Sequence, residues 1–90
     1  MSKLKLMYIG KITYQKLKEV IHKENLSKED TIILNPENFK DIVIEYQNLY
    51  EEDMKLPHLL LGVLIREAKN EIIPLNRIGV FKKRPTSLLC

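Results

Sequence analysis

The sequence predicts an α+β domain: a two-layer sandwich in the order β-α-β-α-β-β, with about four strands and two helices on one face. Three observations predict it. Apolar residues recur with helical period in two stretches, after Thr13 and after Asn35. Short runs of β-branched or unbroken apolar residues, Thr31-Ile32-Ile33-Leu34 and His58 to Ile65, follow them. A chain of 90 residues accommodates one such domain and nothing larger.

The first element is a strand. From Lys3 to Ile9 the residues alternate, with Leu4, Leu6 and Tyr8 on one face and Lys3 and Lys5 on the other, until Gly10 ends the run. Thr13 is a fitting N-cap for a helix to about Glu24, whose apolar positions are Tyr14, Leu17, Val20 and Ile21. Asn25 can close it in the left-handed conformation. Ser27 to Asp30 has capping-box spacing but leads into a β-branched run, so it reads as a turn before a buried strand at 31–34. Asn35-Pro36 then supplies a preferred N-cap and first helical residue. Phe39, Ile42, Val43, Tyr46, Leu49 and Tyr50 form one stripe on the helix that follows. Glu51-Glu52-Asp53 and Pro57 make the next loop. The apolar run from His58 to Ile65 is expected as one central strand, with Gly62 as a bulge or a close approach. Ile72 to Phe81 reads as one strand broken at Pro74, or two short ones, with the part around Pro74 at a sheet edge. Residues 1–83 are thus expected to form the single domain and residues 84–90 a loose tail.

Composition excludes several classes of function. One cysteine, Cys90, cannot form a disulfide framework or a paired redox or zinc motif. The longest apolar run, Leu59 to Ile65, is far below the roughly 20 residues of a membrane span. No signal-peptide pattern opens the chain, so a cytoplasmic protein without a membrane partner is expected. There is no GxSxG, HExxH or Walker loop, and no cofactor is expected. His22 and His58 do not make a metal cluster, and Glu51-Glu52-Asp53 lacks the oxygen spacing of a calcium loop. The reading is non-enzymatic.

Charge is segregated along the chain. Residues 1–23 carry six lysines and one acid, residues 24–55 three lysines and nine acids, and residues 56–90 six basic residues and two acids. Lys82, Lys83 and Arg84 follow Phe81 and are the candidate nucleic-acid contacts. Ile72, Ile73, Pro74 and Leu75 are the candidate protein-interaction residues, because an apolar strand edge invites a second chain.

Residues 31–82 also resemble a segment of HK97-like phage major capsid proteins. Thr31 to Phe39 (TIILNPENF) resembles that family's strand leading into an Asn-Pro helix start with an aromatic three residues on. Leu60-Leu61-Gly62-Val63 is similar to the Leu-x-Gly-x element that follows, and Ile73-Pro74 with Arg77-Ile78-Gly79-Val80-Phe81 to the closing strand. Leu64 and Val80 depart from the family's usual proline and aspartate, and the chain has no room for its long spine helix or extended loop. The resemblance implies a phage or prophage setting, in host cytoplasm or virion, and a small protein that binds other proteins. The expected function is therefore protein–protein interaction, by self-association or with a virion or host partner; the alternative is a small basic nucleic-acid-associated protein.

Overall fold

The computed structural model describes residues 3–82, with Lys3 described by its backbone alone. Two side chains set where its helices begin. Thr13 lies in extended backbone, and its Oγ1 accepts a hydrogen bond from the Lys16 amide at 3.1 Å, starting α1 (Tyr14–Lys23). Asn35 Oδ1 accepts from the Glu37 amide at 2.9 Å, and Pro36 opens α2 (Pro36–Tyr50). The helices are tied together where α1 begins, because the Tyr14 amide donates to Glu45 Oε1 at 2.9 Å. Asn25 and Glu51 follow the two helices in left-handed backbone (φ 54° and 55°) and turn the chain back toward the sheet.

Five strands form one mixed sheet: β1 (Lys3–Met7), β2 (Asp30–Leu34), β3 (His58–Leu60), β4 (Val63–Glu67) and β5 (Ile78–Lys82). Their order is β1-β5-β2-β4-β3. β2 and β4 are parallel, joined through α2; every other pair is antiparallel. The two-layer α+β class is as the sequence predicts, with both helices on one face. The core lies between the layers. Leu17, Val20 and Ile21 of α1 and Phe39 and Ile42 of α2 meet Ile32, Leu34, Val63, Ile65, Ile78 and Val80 of the sheet.

Three local expectations are corrected. The run from His58 to Ile65 is two strands, not one, because Leu61 and Gly62 both have positive φ (53° and 85°) and form a hairpin turn. Residues 72–77 are a loop closed by the Arg77 amide on the Pro74 carbonyl at 3.1 Å, and only Ile78 onward is strand. The stretch around Pro74 is therefore not an edge strand, and β5 itself is internal, between β1 and β2. The expected tail, 84–90, lies outside the described residues.

Candidate functional site

Strand pleating sends alternate side chains to opposite faces of the sheet. Those on the helix side fill the core. On the other side, registers align Leu4, Phe81, Thr31, Leu64 and Leu59 in one row across all five strands. A second row runs Leu6, Gly79, Ile33 and Arg66. The middle of the second row is covered. Ile73 is buried, and a methyl group on Gly79 would lie 2.8 Å from its Cδ1 and 3.0 Å from Leu4 Cδ1. Asn35 Nδ2 holds this loop by donating to the Ile73 carbonyl at 2.9 Å, and the Asn76 amide donates to Asn38 Oδ1 at 2.7 Å.

Among the described residues, none covers the first row in this way. Leu4 is 38% exposed, Leu59 60% and, beside them in the second row, Leu6 49%. Phe81, Thr31 and Leu64 between them are half-buried. Among the described residues, one face has α1 and α2 and the other the loop around Ile73. These two rows carry little charge; just beyond them Arg77 lies over the Tyr8 ring, 4.4 Å from its centroid. The one ionic side chain in these rows, Arg66, is paired with Glu71 through both guanidinium nitrogens, and that pairing holds the Glu71 carboxyl down to about 2.

The interaction residues expected from sequence divide between these roles. Ile73 is spent inside the molecule. Ile72 (88% exposed) and Leu75 (55% exposed) flank it on the surface with Pro74. Of the basic residues, Lys82 lies on the helix side of the sheet, where its Nζ is 3.9 Å from Glu24 Oε1; Lys5 Nζ is 3.6 Å from the same oxygen. Lys83 and Arg84 lie outside the described residues. Leu4, Leu6, Leu59, Leu64 and Phe81, which make the open face, were not singled out from sequence. The strand alternation at Leu4 and Leu6 was the available signal, but alternation alone does not say which face the core takes.

Two polar sites lie on the helix side. His58 and Tyr14 are buried with Nε2 and Oη 2.8 Å apart, and Tyr46 stands edge-on to both rings. Burial pushes the His58 imidazole below its ordinary value and the Tyr14 phenol above its own. His22 is exposed on α1. A groove of about 590 Å³ runs beside α2, lined by Lys11, Thr13, Asn38, Asp41, Glu45 and Asn76 among others. Thr13, Asn38, Glu45 and Asn76 are engaged there in the capping and loop-holding bonds given above. Among the described residues no group of three His, Cys, Asp or Glu side chains is placed to hold a metal ion. No helix among them is long and apolar enough to cross a membrane.

No protein-family model, curated protein or solved structure matches the chain.

Proposed function

We propose that this chain is a small non-enzymatic binding protein that works through protein–protein contact on its open sheet face. The observation that carries the reading is the uncovered row Leu4–Phe81–Thr31–Leu64–Leu59. An apolar surface that spans five strands costs free energy in water at roughly 25 cal/mol per Å², and a protein partner removes that cost. Binding is favoured over catalysis because Thr13, Asn38, Glu45 and Asn76 of the groove, and the Tyr14–His58 pair, are engaged in bonds that hold elements together. The phage or prophage setting rests on the resemblance of residues 31–82 to the capsid segment. The residues that carry that resemblance lie at the β2–α2 junction, the β3–β4 hairpin, the 68–77 loop and β5.

A photoreactive amino acid placed at Leu59 tests the reading in cells that make the protein. The expected result is a discrete protein adduct from position 59 and none from Leu49, which is exposed on α2 in the opposite layer. Absence of any adduct at 59 and at Leu4 would remove the open face as a binding surface.

A further inference from the structure

We infer that the chain controls access to its own open face: the segment 83–90, which lies outside the described residues, returns across the row Leu4–Phe81–Thr31–Leu64–Leu59 and seats Leu88 and Leu89 on it, so that a partner must displace them. The inference rests on the binding role proposed above and names the regulation of that surface. Three features argue for it.

The first is position. The two ends of the face differ. Where β5 begins, the loop around Ile73 lies against Gly79, and Arg77 stands over the Tyr8 ring, 4.4 Å from its centroid. The exposed row lies where β5 ends: Phe81 belongs to it, and Lys82 is the next residue. β5 is flanked by β1 and β2, so the segment that follows it starts beside the row and not at a remote corner of the molecule.

The second is reach. Leu88 is six residues beyond Lys82, which allows a span of up to roughly 20 Å. Phe81 and Leu59 are three strand spacings apart in the sheet, about 14 Å. With a turn around Pro85 taking up part of the length, Leu88 and Leu89 still reach Thr31 and Leu64; the extended segment reaches Leu59.

The third is chemistry. The segment divides into a polar stretch, Lys83-Arg84-Pro85-Thr86-Ser87, and an apolar one, Leu88-Leu89-Cys90. The row holds no ionisable side chain, so it suits the leucines and offers Lys83 and Arg84 no counter-charge. An attached segment is present at an effective concentration on the order of millimolar, so a contact of two leucines, too small to hold a separate chain, is occupied. A partner that displaces it must bury more of the face than two leucines do.

Cys90 is the chain's only cysteine, so a nitroxide attached to it reports where the segment lies. In methyl NMR spectra of the full chain, the nitroxide should broaden Leu4, Leu59 and Leu64 and leave Ile44 and Leu49, exposed on α2 in the opposite layer, sharp. Leu88→Ser with Leu89→Ser should reduce that broadening several-fold while the thermal melt stays cooperative. A methyl-labelled Cys90→Ser chain mixed with the spin-labelled chain should show none, because the contact is made within one molecule. Equal broadening at Leu49 and Leu59, broadening that the double-serine chain retains, or equal broadening in the mixed sample overturns the inference. The photoreactive residue at 59 separates the two levels of the argument. A partner adduct that grows in the double-serine chain supports the regulation, and one that does not grow overturns it. A partner adduct without a nitroxide effect leaves the binding role standing and removes the cover. A nitroxide effect without any partner adduct, even from the double-serine chain, removes the binding role and the regulation with it.

Discussion

His58 joins the core to the pH of the solution. Its imidazole is buried beside Tyr14, and burial lowers its pKa from the ordinary 6.5. The unfolded chain therefore binds this proton more tightly than the folded one, so stability rises with pH across the window between the two values. Chemical denaturation should show stability full above about pH 7 and falling as the pH drops through about 6.5. His58→Gln keeps an acceptor for Tyr14 and should flatten that fall; equal slopes in wild type and variant would assign the effect elsewhere. Glu71 acts in a different window. With its folded value near 2 and an ordinary value of 4.5, its contribution is present above 4.5 and is lost only as the pH falls toward 2. Gly79→Ala would press a methyl group against the side-chain ends of Ile73 and Leu4, which can shift, while alanine gains about 0.5–1 kcal/mol over glycine in a strand, so urea unfolding should change by less than about 1 kcal/mol; a larger loss would show that the Ile73 loop cannot yield. At this scale the caps were legible, because Thr13 and Asn35 act on amides two or three residues away. The Tyr14–His58 pair was not, since its members are 44 residues apart in sequence and neither periodicity nor spacing links them.

The helices were the most legible elements and the hairpin the least. The apolar stripe of α2 places Ile42 fully inside, and Ile42→Ala should cost about 2–5 kcal/mol, measured by denaturant midpoint at constant slope. The stripe weakens before the helix ends: Leu49 and Tyr50 continue the period but are exposed, and Tyr50 meets the ring of Tyr46 with centroids 4.7 Å apart. The β3–β4 turn escaped the sequence reading because two-residue turns of this kind favour Asn-Gly, whereas here the first position is Leu61. A leucine at φ 53° costs about 1 kcal/mol that asparagine largely avoids, and Leu61 is exposed, so little burial is lost on replacing it. Leu61→Asn should therefore raise the melting temperature by a few degrees; a lower value would mean that the leucine makes a contact that offsets its backbone strain. Strand β1 carries the converse lesson. Its alternation was correctly read, but its leucines face away from the helices and its Lys5 lies on their side, where Glu24 meets it.

Across the whole molecule, the two-layer class followed from the number and period of the elements, while strand order did not. Sequential strands usually neighbour one another, and the chain breaks that habit by placing its last described strand between its first and second. The open face is a product of this order. It gathers Leu4, Phe81, Thr31, Leu64 and Leu59 from five separate segments, and no local pattern could have assembled them. A chain cut after Asn76 tests how far the sheet depends on β5. It should lose cooperative unfolding and become protease-sensitive throughout, not merely frayed at one end, because β1 and β2 are held together through β5. The same order has a consequence during synthesis. As the nascent chain leaves the ribosome, β1 and then β2 emerge with no strand between them, and β4 can reach only one side of β2. Their leucines and isoleucines stay available to chaperones until β5 appears and joins the two halves, so the fold closes in a late, concerted step rather than growing as it is translated.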